Sequence, residues 1–384
     1  MWATAFLKHS RFLDQQGSWD STSNADQVFL AFQDSFRGFE KVCGFEVMDG
    51  KWISMIVDHM TELLVQYAEE ADYEAHQNLL NPANGNARSA AMATQESSKH
   101  QKVEKALSLM ESLFRKLIHG TKNPPDYRKF ASFYLTLHLI RVNFSINNFK
   151  FTDAHFKFIE RVDTQEINML PKAWHVQVAY YKGRYYMYNN NFVAARDELV
   201  KAFGMSNSDP AATENKKRIL RYLIPVEMIN GRFPSRELLE RYGLVEYIDV
   251  TVAAMKGDMQ ALEQCISQNM DLYIQSGVFT VIERLRMVTL KNFVKRVANA
   301  VKVTPELQVM SKDTLVNLNL LYVPLREWDD ELDLDELQCL LANLIANGLI
   351  KGYISHEKRI LVLSKDAFPE AGPVMLSGNQ SASR

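Results

Sequence analysis

This sequence has few cysteines, no long apolar run and little net charge, and each of these features excludes a class of protein. Three cysteines, Cys43, Cys265 and Cys339, are spread over 384 residues, so neither a disulfide framework nor a zinc-binding spacing is evident. No run approaches about 18 uninterrupted apolar residues, and the opening MWATAFLKHSRF lacks the apolar centre of a secretory signal. We therefore expect no membrane insertion. The formal net charge of −2 requires any basic surface to be local.

Catalytic motifs are also missing from the sequence. It has no Walker loop and no GxSxG, HExxH or CxxC pattern. His119, His138, His155 and His175 recur at similar intervals, but they fall in separate predicted helices. We therefore predict a protein that is not an enzyme, with no catalytic residue, no metal ligand and no cofactor. A hydrolase hidden among the helices is a disfavoured alternative, because no candidate nucleophile has a base beside it in any motif.

What the sequence does contain is one helical pattern after another, separated by short corners rich in Pro, Gly and Asn. The segment YYKGRYYMYNNNFVAARDELVKAF resembles a tetratricopeptide-type helical hairpin, in which Ala179 and Gly183 let two helices approach closely. This pattern predicts a right-handed stack of helical pairs without a strict repeat period. Residues 311–320 are also predicted to be helical, and Val323–Pro324 is predicted to break that run.

The most complete local signal lies near the C-terminus. Asp333 is a good helix N-cap, Glu336 can complete a capping box, and Gly348 follows the last helical turn. Two short apolar runs, 350–355 and 360–364, then flank a polar turn and predict a β-hairpin. A helix followed by such a wing is typical of a winged helix. The predicted fold is therefore all-α, a right-handed helical-repeat (TPR-like) solenoid that ends in a winged helix with a small β-hairpin wing.

Basic residues cluster in the C-terminal half, at a helix start, along the helix 279–302 and on the wing. Such clusters are typical of a phosphate-binding surface, although each residue alone is more simply explained as a solvated helix charge. The segment 332–347 has no Lys or Arg, which argues against its insertion into a DNA major groove. Seven acids lie between Glu327 and Glu336, which fits a solvated rim or a charge bias at a helix start.

Three long segments in order carry a resemblance to a known family. NKKRILRYLIPVEMINGRFPSRELLERYGL, VFTVIERLRMVTLKNFVKRV and DELQCLLANLIANGLIKGYISH closely resemble PCI-domain proteins of the nuclear mRNA-export machinery, the Thp-like family. The similarity runs from about Gln101 to Phe368. It implies a helical solenoid that passes into a winged-helix PCI module.

The resemblance and the patterns together predict the domain organisation. We expect an N-terminal helical region at 1–100 with a flexible loop at about 78–100, TPR-like helical repeats at 101–212, and a PCI domain at 213–368. The PCI domain would comprise a helical part at 213–310 and a winged helix at 311–368. A disordered tail is expected at 369–384.

The resemblance also implies a function and partners. Family members are scaffold subunits that bind a Sac/GANP-like scaffold protein and a small acidic Dss/Sem-like protein, and they form a composite basic platform for RNA or DNA. The implied location is the nucleus, including the nuclear pore, with the cytoplasm open as a second location. The alternative is a PCI subunit of a COP9-signalosome-like or proteasome-lid-like complex. RNA-versus-DNA preference and stoichiometry stay open.

By the family's pattern, two sets of residues are candidates for binding. The candidates for nucleic-acid contact are Lys216, Lys217, Arg218, Arg221, Arg284, Lys291, Lys295, Lys351, Lys358 and Arg359. The candidates for a protein-contact edge are Asp329, Asp330, Asp333 and Glu336.

Overall fold

Two compact units make up the chain. The computed structural model describes residues 25–43, 52–80, 100–118, 126–149, 151–162, 164–207, 212–304 and 314–369. Contacts between Cα atoms divide the chain into Met1–Trp174 and His175–Arg384. The domain boundaries that we place at 100, 212 and 368 stay predictions.

The first unit is built from helices. They are α1 (Ala25–Cys43), α2 (Trp52–Leu80), α3 (Gln101–Ile118), α4 (Asp126–Ser145), α5 (Thr152–Arg161) and α6 (Thr164–Asn168). Phe29, Phe32 and Phe36 recur every three or four residues along α1, so they share one face, and all three are fully buried. α2 packs against α1, α3 and α4, which makes it the central helix of this unit.

A buried carboxylate fixes the start of α3. Asp72, on α2, is 8% exposed, and its two oxygens accept hydrogen bonds from the backbone N–H of Lys102 and Val103, each at 3.0 Å. Those N–H groups have no partner inside the helix, so the carboxylate stabilises both them and the positive end of the helix dipole. The predicted loop at about 78–100 begins in the last residues of α2, and its residues 81–99 lie outside the described part of the chain.

The second unit begins with a close helical hairpin. It is formed by α7 (Lys172–Tyr188), from His175 onward, and α8 (Phe192–Met205). The Asn191 side chain caps α8 by accepting a hydrogen bond from the Ala194 N–H at 3.2 Å. A Cβ atom placed on Gly183 would lie 2.6 Å from Leu199 Cγ, so only glycine fits at this crossing. The predicted close approach of the two helices is confirmed.

One long helix organises the rest of this unit. The elements are α9 (Thr213–Ile229), α10 (Arg236–Arg241), a short 3₁₀ turn (Val245–Tyr247), α11 (Ile248–Lys256), α12 (Met259–Gln268), α13 (Met270–Ser276) and α14 (Phe279–Val303). α14 packs against α9, α11, α12 and α13 on one side and against the winged helix on the other. Its buried side chains therefore belong to two adjoining hydrophobic cores.

A winged helix ends the described chain. It consists of β1 (Leu315–Asn317), α15 (Leu318–Arg326), α16 (Leu334–Ala346), β2 (Gly352–Ser355) and β3 (Ile360–Leu363). The sheet is antiparallel in the order β1-β3-β2, with Leu315 opposite Val362 and Gly352 opposite Leu363. The predicted hairpin is thus confirmed, and the fold class with it.

The predicted caps of α16 are also confirmed. Asp333 accepts a hydrogen bond from the Glu336 N–H at 2.7 Å, and the Glu336 carboxylate accepts one from the Asp333 N–H at 3.3 Å. Gly348 has φ of 66°, the left-handed conformation that glycine adopts without strain.

Two predictions near this module are wrong. Leu315–Asn317, predicted to be helical, is the strand β1, because Val316 is buried in the winged-helix core while the backbone pairs with β3. Pro324 does not break the following helix but lies inside α15, exposed and close to its C-terminal end. The wing is accordingly a three-stranded sheet and not a hairpin alone.

Several expectations fall outside the described part of the chain. They concern residues 1–24 of the predicted N-terminal helical region and residues 370–384 of the predicted tail. Among the described helices, none is both long enough and apolar enough to cross a bilayer.

Candidate nucleic-acid interface

The first basic cluster lies at the start of α9. Lys216 and Lys217 are half-buried, and the Lys216 ammonium lies 5.3 Å from the centroid of the Phe203 ring. Arg218 is exposed and Arg221 is half-buried. A lysine over an aromatic ring is held in place without being neutralised, so this helix start keeps its positive charge at the surface.

The basic face predicted on α14 is only partly exposed. Arg284 is exposed, with its guanidinium 5.6 Å from the centroid of the Phe192 ring, and Lys295 is exposed as well. Lys291 has the same helical phase but is 7% exposed, because its Nζ donates a hydrogen bond of 2.6 Å to the Pro369 carbonyl. Helical spacing correctly placed these residues on one face. It did not reveal that the segment after the wing covers Lys291.

The wing carries the third basic cluster. Lys351 forms an ion pair with Asp366 at 3.2 Å, and both side chains are largely exposed. Lys358 and Arg359 are exposed at the turn between β2 and β3. Arg359 has φ of 52°, and its carbonyl accepts a hydrogen bond from the Leu318 N–H at 3.0 Å, which ties the turn to the start of α15.

The acidic edge and the tip of the wing are neighbours. Asp333 and Asp335 line a small cleft together with Glu357 and Arg359 from the turn. In the same cleft, His356 Nδ1 lies 2.8 Å from Gln338 Oε1. Three acidic residues and Arg359 thus line one cleft, so the charge at the tip of the wing is mixed.

The four acidic residues predicted to form a protein-contact edge differ in the hydrogen bonds that they form. Asp333 and Glu336 form the capping box, and the Asp329 carboxylate accepts a hydrogen bond from the Glu331 N–H at 3.2 Å. Asp330 is exposed. At least part of this acidic run thus stabilises the start of α16.

A second cleft brings a basic residue from another element beside those of α14. It has a volume of about 410 Å³ and lies where α14, the turn after α9 and the end of the winged helix meet. Its lining includes Lys291 and Lys295 from the predicted set, and also Arg232 and Arg296. We call it the cationic cleft. Arg232 lies in the turn after α9, 47 residues before the first residue of α14, so helical spacing gave no signal for it.

The described histidines do not converge on a metal site. His138 Nε2 lies 2.7 Å from Asp58 Oδ1, whereas His155 is buried without a hydrogen-bond partner among the described residues. Burial lowers the pKa of His155 to about 4. Across the described residues, no group of three or more His, Cys, Asp or Glu side chains could hold a metal ion. His119 lies outside the described residues.

The fold and the charges define a class of protein: a helical-repeat chain that ends in a winged helix and bears cationic surfaces beside it. Residues 262–365 match the family model of the PCI domain, so this chain is a PCI-domain protein. PCI-domain proteins are subunits of multiprotein complexes.

Relatives extend the similarity beyond the domain. The chain is 32% identical over 269 residues to PCI domain-containing protein 2 of Danio rerio, covering 70% of this chain and 64% of that protein. It is 28% identical over 346 residues to Enhanced ethylene response protein 5 of Arabidopsis thaliana, covering 90% of this chain and 75% of that protein. It is 26% identical over 291 residues to Protein CSN12 homolog of Neurospora crassa, covering 72% of this chain and 63% of that protein. The chain therefore matches less than two thirds of the length of the zebrafish relative.

Proposed function

We propose that this protein is a non-enzymatic scaffold subunit of a nuclear complex that couples transcription to mRNA export. In this role it binds a Sac/GANP-like scaffold and a small acidic Dss/Sem-like protein, and it contributes part of a composite basic surface for RNA or DNA. The proposal places it in the nucleus, including the nuclear pore. The observation that carries it is a PCI domain in a chain whose relatives bear the name PCI domain-containing protein 2.

Exposed apolar side chains support a partner on the winged helix. Val323 on α15 is 62% exposed and Tyr353 on β2 is 64% exposed, although both belong to a module whose own core is filled. Large apolar groups left in water at such positions are typical of protein contacts. The buried face of α16 contributes to the module's own core, so docking would use α15 and the wing.

The exposed cations support a role in binding nucleic acid. Arg218, Lys295 and Lys358 are exposed on three different elements, so each can reach a phosphate without disturbing the core. Their long side chains would give an affinity that falls with salt and reads little sequence. The paired state of Lys351 and the burial of Lys291 weaken those two candidates.

A second candidate is a PCI subunit of a COP9-signalosome-like or proteasome-lid-like assembly. The observation in its favour is the name of one relative, Protein CSN12 homolog. The two candidates predict different partners: a single Sac-like scaffold with a Dss-like protein, or several other PCI-domain subunits.

Affinity purification from the protein's own cells, followed by mass spectrometry, distinguishes them. We expect a Sac-like scaffold and a Dss-like acidic protein in the same eluate. Tyr353→Ala should reduce recovery of the scaffold, because it removes an exposed apolar contact, while Glu357→Ala on the same wing serves as the matched control. An eluate that contains other PCI-domain subunits and no Sac-like scaffold would favour the second candidate.

A further inference from the structure

Exposed apolar side chains are concentrated in one part of the second unit. Among the described residues of this unit, six of the ten exposed large hydrophobic side chains fall within residues 245–274. They are between 43% and 60% exposed: Val245, Val252, Met255, Met270, Leu272 and Ile274. Other side chains fill the core of the unit, so these six are available to a partner.

Three of the six form a stripe along the outer face of α11 and the 3₁₀ turn before it. Val245, Val252 and Met255 are separated by seven and three residues, so they recur on one side of the helix. The opposite side of α11, which includes Val250 and Ala254, is buried. The stripe is about 15 Å long, or three helical turns, which matches one face of a short partner helix.

α13 presents the other three apolar side chains, and one tyrosine attaches it to the start of this stripe. Tyr273 on α13 is buried, and its hydroxyl donates a hydrogen bond to the Glu246 carbonyl at 2.8 Å. Its ring also stacks on the Tyr247 ring, with the centroids 6.0 Å apart. Leu272 and Ile274 flank Tyr273 in the chain, so they enlarge the apolar surface at this end.

The end of the stripe next to α13 is acidic. Asp249 falls in the middle of the stripe, four residues after its first member and three before its second, and Asp271 lies at the start of α13. Both carboxylates are exposed, and neither forms an ion pair within the described part of the chain. The pKa of Arg236 is raised mainly by its hydrogen bond to Glu240, at 2.7 Å, and only to a lesser extent by Asp249. A partner's cation would therefore find the Asp249 carboxylate accessible.

The far end of the stripe is basic. Met255 lines the cationic cleft, in which Arg232 and Lys295 are exposed. Neither of these two cations forms an ion pair with another described residue. Phe233 extends the apolar surface of the stripe into the same cleft. The whole surface thus has an apolar middle, a negative end and a positive end.

These features select one kind of partner. The described elements of this surface are helices and a turn, so a partner must bind through side chains, as an amphipathic helix laid along an apolar stripe does. Nucleic acid fits poorly, because Asp249 and Asp271 would repel its phosphates. A helix with opposite charges at its two ends complements both ends of the stripe, and these charges fix its direction.

We infer that the outer face of α11, together with α13, docks an amphipathic helix of a partner protein. The basic end of that helix would lie at Asp249 and Asp271, and its acidic end at the cationic cleft. The proposed function assigns a partner to the winged helix and none to this surface. The inference therefore goes beyond the proposed function, and either can fail without the other.

Site-specific photo-cross-linking in the protein's own cells tests the inference with the full chain in its complexes. The photoreactive amino acid p-benzoylphenylalanine is placed at Val252, in the middle of the stripe. Separate samples carry it at Val303, an exposed valine at the end of α14, and at Tyr353 on the wing. Mass spectrometry of the cross-linked peptides then identifies the segment that each position contacts.

Charge variants are measured in the same assay with the cross-linker at Val252. Asp249→Lys/Asp271→Lys reverses the acidic end, and Asp330→Lys/Glu331→Lys, at exposed acids beside the winged helix, is the matched control. Urea unfolding followed by circular dichroism confirms that each variant is folded. Should the reversed variant fail to fold, Asp249→Asn/Asp271→Asn removes the same charges without introducing repulsion.

We expect Val252 to cross-link to a partner segment with apolar residues every three or four positions, basic residues at one end and acidic residues at the other. Val303 should not capture that segment. Asp249→Lys/Asp271→Lys should lower the cross-linking yield by about tenfold or more, because two attractions become repulsions. The Asn variant should lower it by about threefold, and the Asp330→Lys/Glu331→Lys control should leave it unchanged.

Several results would overturn the inference. They are no cross-link at Val252, a captured segment without this pattern, a segment from a second copy of this chain, or an unchanged yield in both Asp249 variants. A cross-link from Tyr353 to a Sac-like scaffold, with none from Val252, would overturn the inference and leave the proposed function standing. An amphipathic segment captured at Val252, with no Sac-like scaffold in the purified complex, would support the inference and count against the proposed function.

Discussion

The crossing of α7 and α8 gives the sharpest stability prediction, because glycine is the residue that fits there. The perturbation is Gly183→Ala. Its new Cβ would lie 2.6 Å from Leu199 Cγ, 2.9 Å from Leu199 Cδ2 and 3.2 Å from the Ala195 carbonyl oxygen. Carbon atoms prefer about 3.5–4.0 Å, so the two helices or the Leu199 side chain must move. Leu199 is fully buried and has little room to do so.

The expected magnitude follows from two opposing effects. Overpacking a filled core costs about 1–3 kcal/mol, whereas replacing Gly by Ala in a helix interior gains about 1 kcal/mol. The clash involves the branch point of Leu199 and a backbone carbonyl, neither of which is the free end of a flexible chain. We therefore expect Gly183→Ala to destabilise this unit by about 1–2 kcal/mol.

Urea unfolding followed by circular dichroism measures the effect, and Gly204→Ala is the matched control. Gly204 lies in α8, and a Cβ atom there would meet nothing within 4 Å. That variant should be neutral or slightly stabilising. In a Leu199→Ala background the two contacts with Leu199 are absent and only the 3.2 Å contact with the Ala195 carbonyl oxygen remains, so Gly183→Ala should become neutral or stabilising by less than about 1 kcal/mol. A Gly183→Ala protein as stable as Gly204→Ala, in the otherwise native chain, would refute the close crossing.

Two further predictions concern burial. Leu341, on α16, is fully buried, so Leu341→Asp should destabilise the winged helix by about 4 kcal/mol or more. Cys339→Asp, at an exposed position of the same helix, is the control and should not destabilise it. Equal melting temperatures of the two variants would contradict the placement of α16. His155 keeps a neutral ring when folded, because burial lowers its pKa from 6.5 to about 4, while in the unfolded chain it takes up a proton below pH 6.5. The contribution of neutral His155 to the free energy of unfolding is therefore complete above pH 6.5, and it decreases by about 3 kcal/mol as the pH falls to 4. His155→Leu should flatten this part of the pH profile of urea midpoints, and an unchanged slope would assign the acid sensitivity to other groups.

Sequence patterns correctly predicted those structural elements that depend on residues close by in the chain. The capping box of Asp333 and Glu336, the left-handed Gly348 and the hairpin after it all depend on neighbours within a few residues, and the structure has each of them. β1 depends on a distant partner. Residues 315–317 are a strand because β3, more than 40 residues later, offers a backbone edge, and no local signal could show that.

The candidate site also has a part that the local sequence predicts and a part that depends on distant residues. Helical phase placed Arg284, Lys291 and Lys295 together, but whether a face is open depends on what packs over it. Pro369 covers Lys291, and Arg232 reaches the same cleft from another turn. Periodicity along one helix therefore selected part of a cationic surface and could not define its boundary.

The balance of charge at the two clefts decides where a phosphate would bind most favourably. The wing tip, part of one of the three predicted basic clusters, places Arg359 in a cleft with three acidic residues, two of them at the start of α16. There the attraction of Arg359 for a phosphate is offset by the negative charges of the carboxylates in the same cleft. In the cationic cleft, the Lys291 ammonium donates to the Pro369 carbonyl and the Arg296 guanidinium to the Lys256 carbonyl, whereas Arg232 and Lys295 are exposed. Among the predicted candidates, Arg218 and Lys295 are exposed and lie outside the acidic cleft of the wing tip, so a phosphate would meet less opposing charge at them than at Arg359.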